Sequence, residues 1–107
     1  MNDLLQVIRN DDVGSVRLIG ELDASNAEAL LDDLGPQLAE GASLTLDLTE
    51  LSFIDSMGLR TLLRAAAALG SHGRLVLHGP QRAVARTFEL VGLEKVSNIE
   101  VGGASDT

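Results

Sequence analysis

The stretch from residue 43 to residue 69 reads SLTLDLTELSFIDSMGLRTLLRAAAAL, and it leaves little freedom in local structure. In Ser43 to Leu48, Leu44, Leu46 and Leu48 alternate with Thr45 and Asp47, the period of a strand with one face in a core and the other toward water. From Met57 the period becomes that of a helix: Leu59, Leu62, Leu63, Ala66 and Leu69 form an apolar stripe, with Arg60 and Arg64 on another side. A strand handing over to a helix in this way is the building unit of an α/β fold. The handover also sets Ser56 at a helix start, where the positive end of the helix dipole and unpaired backbone N–H groups would hold a phosphate well. Ser56 is therefore a candidate switch.

The remaining chain extends the same pattern. Leu4 to Arg9 alternates, Asn10 to Gly14 gives a turn, and Ser15 to Glu21 is a second strand, so these two predict a hairpin. Ser25 with Glu28 three residues on is a capping-box pattern that starts a helix near Asn26, with Ala27, Leu30, Leu31, Leu34 and Leu38 at helical spacing. Gly35-Pro36 interrupts that helix, which predicts a kink or two short helices. Gly70 to Gly73 closes the helix begun at Met57, Arg74 to His78 is a fourth strand, and Gln81 to Val91 is a third helix with Val84, Phe88 and Val91 inward and Gly92 as its cap. Val96 to Val101 reads as a last short strand or an extended arm. The expectation is a mixed, mostly parallel sheet of four to five strands covered by about three crossover helices.

Composition removes several function classes. One core is what 107 residues support. A net charge of −8 opposes direct binding to nucleic acid or to anionic membrane surfaces. With no Trp or Tyr, an aromatic ligand platform is not expected. The absence of cysteine excludes disulfides and thiolate metal sites, and two histidines offer little to a transition metal. No cofactor is expected. No secretion signal opens the chain, and its longest apolar helix is too short to span a bilayer, which together suggest a cytoplasmic protein.

Three segments together resemble the STAS domain, specifically bacterial anti-sigma factor antagonists: Gly20 to Ala27 (GELDASNA), Leu46-Asp47-Leu48, and Phe53 to Leu59 (FIDSMGL). Arg86 to Leu93 (RTFELVGL) is similar to the family's closing helix and turn, so the likeness spans nearly the whole chain. It implies a STAS domain over residues 1–101 and a flexible tail over 102–107. It further implies that Ser56 is phosphorylated by a partner that is both anti-sigma factor and ATP-dependent serine kinase, and that a PP2C-type phosphatase removes the phosphate. The unmodified form would bind the anti-sigma factor and release a sigma factor. A weak homodimer is compatible with the resemblance. Many members carry Ser or Thr after the modified serine; here Met57 stands there, leaving Ser56 as the element's one hydroxyl.

The resulting candidate surface is Asp23, Asp55, Ser56, Met57, Gly58 and Arg60, each with a plainer alternative. Ser56 alone is an ordinary N-cap; with its flanks it reads as the switch. Asp23 either arranges the Ser56 pocket or turns the chain. Asp55 could orient a nucleophile or bind Mg²⁺ during phosphoryl transfer, but reads as a dipole partner with a supporting role only. Gly58 either admits a kinase backbone or is a tolerated first-turn glycine. Arg60 and Arg64 contact an acidic partner or lie on a solvated face. Asp23, Asp55 and Asp47 are expected to share the neighbourhood of Ser56. His72 and His78 read as structural. Two other functions compete: a serine hydrolase using Ser56 and His78, which lacks the nucleophile-elbow glycine because Ile54 stands there, and a non-switching STAS scaffold or transporter accessory subunit. Against the latter, the Met1 start and short tail suggest a free-standing regulator.

Overall fold

The computed structural model describes residues 4–103. Strand β1 (Leu5–Asn10) and strand β2 (Ser15–Leu22) form the predicted antiparallel hairpin. Helix α1 (Ala27–Leu34) leads to β3 (Ser43–Ile54), α2 (Ser56–Leu69), β4 (Arg74–His78), α3 (Arg82–Val91) and β5 (Ile99–Gly102). The five strands lie in the order β1-β2-β3-β4-β5, and every pair after the hairpin is parallel.

This order has a direct geometric result. Right-handed crossovers between strands that are neighbours in both sequence and space put every connecting helix on the same side of the sheet. The burial pattern agrees: Val16, Leu18, Leu44, Leu46, Leu48, Leu75 and Leu77 are at most 1% exposed and form one cluster with Leu30, Leu34, Leu62, Leu69, Val84 and Phe88. The pairing register sets Arg17, Asp47 and His78 in one row on the opposite, uncovered face.

Three local expectations change, and the break expected at Gly35-Pro36 is found as two short helices. Strand β3 runs on to Ile54 instead of ending near Leu48, because two register shifts against β2 let Leu51 and Ile54 reach the core after the simple alternation stops. Pro36 ends α1: Gly35–Gln37 form a separate 3-10 turn with the proline in its first positions, where a missing N–H costs no helical bond. Helix α1 begins at Ala27 with Asn26, not Ser25, at the N-cap position. Strand β5 includes Gly102, one residue into the segment expected to be tail, while residues 104–107 lie outside the described residues.

Candidate functional site

Ser56 stands at the end of the longest strand with almost no loop between strand and helix. Asp55 alone separates β3 from α2, in an extended conformation (φ −109°, ψ −173°). Its N–H continues the ladder by donating to Leu22 O at 3.2 Å. Its carboxylate then does two things: Oδ1 accepts from Gly58 N at 2.9 Å, which caps α2, and Oδ2 accepts from Ala24 N at 3.1 Å, which ties in the loop between β2 and α1. Asp55 is thus the N-cap, and Ser56 is the first helical residue. Its side chain is exposed and its hydroxyl makes no hydrogen bond among the described residues. The reading of Ser56 as a simple cap is corrected accordingly, since the neighbouring carboxylate holds that position.

The loop beside it is built from polar side chains that turn inward. Asp23 Oδ1 accepts from Ser25 N at 2.9 Å and from the Ser25 hydroxyl. Asp23 N donates to Asn26 Oδ1 at 2.9 Å, and Asn26 Nδ2 donates to Glu21 O at the same distance. Asn26 is only 6% exposed. This loop lies against Asp55 through the bond from Ala24, the residue after Asp23, while the Asp23 carboxylate itself is taken up by Ser25.

Asp47 is not part of this group. Seven residues of near-continuous strand, a span of roughly 25 Å, separate it from Asp55, and its side chain lies on the uncovered face. There it accepts from Thr49 Oγ1 at 2.7 Å and Thr49 N at 3.0 Å, with Arg17 Nε 3.6 Å away. Burial pushes its carboxyl upward, but the two bonds from Thr49, with the charges of Arg17 and His78, outweigh that and hold it below the ordinary value.

Gly58 faces inward, not outward. A Cβ there would lie 2.7 Å from Ile54 Cγ1, 2.9 Å from Leu22 Cγ and 2.9 Å from Leu22 O. The missing side chain is what lets the first turn of α2 sit directly on the ends of β2 and β3, so neither sequence reading of this glycine is the one the packing gives.

Away from Asp55, on the groove side of Ser56, the surface is apolar with Arg60 as its one charged residue. Met57 is 43% exposed and Phe53 47%. A shallow groove runs from Ser56 and Arg60 along Leu63 to Val91 and Val96. Leu63 and Val91, read from the sequence as inward-facing, are 43% and 56% exposed. They lie beside the seam formed by Leu59, Leu62, Ala66 and Leu69 and by Val84 and Phe88, which already fills the space over the sheet. The sequence α2 presents, SMGLRTLLRAAAAL, holds no acid, and Arg60 and Arg64 have no ion-pair partner among the described residues. By contrast, Arg9, Arg17 and Arg74 pair with Asp33, Asp47 and Glu100.

Among the described residues no base is bonded to the Ser56 hydroxyl. His78 lies opposite Asp47 and Gly102 in the sheet, and no hydrogen bond joins Ser56 to a histidine or a carboxylate among the described residues. Among those residues no three His, Asp or Glu side chains gather to hold a metal, and no helix is long and apolar enough to cross a membrane.

Residues 5–102 match the STAS domain family. The chain belongs to that family. An anti-sigma-B factor antagonist of Listeria monocytogenes is 35% identical over 94 residues, which cover 86% of this chain and 82% of the relative. Among solved structures, an anti-sigma factor antagonist from Mycobacterium paratuberculosis matches with a TM-score of 0.67 at 30% identity, over 90% of this chain and 83% of the other. SpoIIAA, a Bacillus cell fate determinant solved in its phosphorylated form, shares the fold at a TM-score of 0.64 and 22% identity, over 92% of this chain and 90% of its own. These relatives are named for regulation and not for a reaction. The STAS domain described here therefore has the architecture expected from the Asp55-Ser56-Met57-Gly58-Leu59 element and its flanks.

Proposed function

We propose that this STAS domain is an anti-sigma factor antagonist that works by partner switching. In its unmodified form it binds an anti-sigma factor through the surface around Asp23, Ser56, Met57 and Arg60, and so frees a sigma factor. The same partner acts as an ATP-dependent serine kinase. The Ser56 oxygen takes the γ-phosphoryl group of ATP, ADP leaves, and the hydroxyl proton passes to a base of the kinase. A PP2C-type phosphatase hydrolyses the ester and restores the binding form. Both exchanges belong in the cytoplasm, where sigma factors act.

The observation that carries this reading is the exposed Ser56 hydroxyl on the first turn of α2, unbonded among the described residues and held between a capping carboxylate and an apolar rim. Phosphorylation brings roughly −1.5 to −2 charges to that spot. A unit charge about 7 Å from a carboxylate such as Asp55 costs about 2 kcal/mol at an effective dielectric of about 20. A partner that had covered a neutral hydroxyl must now exclude water from a dianion. Losing about 3 to 4 kcal/mol of a complex worth roughly 8 to 12 weakens it several hundredfold. Gly58 and the core behind it supply the rigid support, and the fold need not move.

The test is titration calorimetry of a purified anti-sigma factor with the unmodified chain, with the chain phosphorylated by that partner and ATP, and with Ser56→Ala. Mass spectrometry is expected to find one phosphate, on Ser56, and the modified chain should bind several hundredfold more weakly while Ser56→Ala binds and takes no phosphate. Equal affinity of the modified and unmodified chains would favour a constitutive scaffold and overturn the switch.

A further inference from the structure

Ser56 and Arg60 are four residues apart on α2. Side chains at that spacing lie one above the other on a helix, with Cβ atoms about 6 Å apart, and both of these border the same groove. The guanidinium has no ion-pair partner among the described residues, and its helix offers it no acid. The nearest carboxylate in sequence, Asp55, is already engaged through both oxygens, by Gly58 N at 2.9 Å and Ala24 N at 3.1 Å. That capping bond has a second effect: it removes one first-turn N–H from the donors a phosphate at the helix start would use, which leaves more of the phosphate's needs to a side chain.

We propose that Arg60 is the intramolecular counter-ion of a phosphoryl group on Ser56. The inference rests on the reading of Ser56 as the modified residue and adds what happens to the charge once it is there. An anion N-terminal to a cation by four residues is the favourable order on a helix, and a planar guanidinium can donate two parallel hydrogen bonds to phosphate oxygens. The pairing turns Arg60 back along α2 toward residue 56. Modification therefore changes the docking surface twice: a neutral hydroxyl becomes an anion, and the cation beside it, free to meet an acidic partner in the unmodified chain, is occupied. The phosphate lies over the Arg60 side of the first turn, at the mouth of the groove.

The experiment uses the full chain with phosphoserine installed at position 56 through a suppressor tRNA, so that no kinase is needed, and follows the phosphate by phosphorus NMR as pH is varied. The second ionisation of a free phosphoserine falls near pH 6; in the wild-type background it should come about 0.2 to 0.4 of a pH unit lower than in Arg60→Gln, whereas Arg64→Gln should match wild type. Equal midpoints in wild type and Arg60→Gln would overturn the pairing. So would equal shifts from the two arginine substitutions, which would indicate a diffuse field and not a contact. If a kinase fails to modify Ser56, the switch reading fails while this measurement keeps its meaning.

Discussion

Replacing Gly58 with alanine sets two structural arguments against each other. In a helix, alanine is favoured over glycine by up to about 1 kcal/mol, so on propensity alone the variant should be more stable. The packing says otherwise. The added methyl would lie 2.7 Å from Ile54 Cγ1 and 2.9 Å from both Leu22 Cγ and Leu22 O. A side chain can rotate away, but the Leu22 carbonyl is fixed because it accepts from Asp55 N at 3.2 Å in the ladder that positions Ser56. Overpacking of this kind costs about 2 to 3 kcal/mol, which leaves a net loss of about 1 to 2 kcal/mol and a melting temperature lower by roughly 5 to 15 °C. With no tryptophan or tyrosine in the chain, far-ultraviolet circular dichroism during urea unfolding is the suitable assay, with the slope unchanged and the midpoint lowered. A Gly58→Ala chain as stable as wild type, yet poorly phosphorylated, would refute the packing account and restore the reading in which this glycine admits the kinase.

Two further outcomes follow from the same geometry. Asp55→Ala removes the cap of α2 and the tie to Ala24, and should cost about 1 to 2 kcal/mol, with amide resonances of residues 23–26 moving as well as those of residues 56–58; unchanged resonances in the first group would contradict the stitching of the two loops. For Asp47, the carboxyl is held below its ordinary value of 3.8 in the folded chain, so the unfolded chain takes up its proton first as pH falls. The stability it contributes is present above that value and disappears as pH drops through the lower folded one. Asp47→Asn should therefore show a shallower loss of melting temperature between pH 5 and pH 2 than wild type, and parallel curves would count against the assigned cause.

Much of this architecture could be read from residue patterns because the local signals were strong and mutually consistent. The Leu44-Leu46-Leu48 alternation showed one buried face, and the structure has one. The proline at 36 and the glycine at 92 ended helices where their backbone chemistry requires. What escaped was decided by tertiary partners. The extension of β3 to Ile54 depends on two irregular steps against β2 that no local period encodes. The inward Asn26 looked like an ordinary helix-start residue, although a polar side chain just before an apolar stripe was a usable signal. Thr61, buried at 4% and donating from its hydroxyl to Ala27 O at 3.2 Å, gave none, since a threonine in a helix says nothing about what lies across from it. Leu63 and Val91 were misread for a related reason: apolar periodicity marks which face is greasy, not whether another layer arrives to cover it. Around Ser56 the handover from strand to helix was legible from its flanks, but the absence of a bond to its hydroxyl among the described residues depended on Asp55 taking the capping role, which only the geometry reveals.

The single residue joining β3 to α2 has a consequence for any enzyme that would act on Ser56. Most modification targets are slack segments that thread into a catalytic cleft and are read letter by letter. Here there is no slack: the residue before Ser56 is the lone joint after a central strand and caps the helix, while the residue after it belongs to that helix, seated on the sheet. A short peptide copied from this junction would carry the same letters without the shape, and should be a poor substitute for the intact domain. For an enzyme that acted there, recognition would come from how two solid surfaces fit more than from the letters around residue 56.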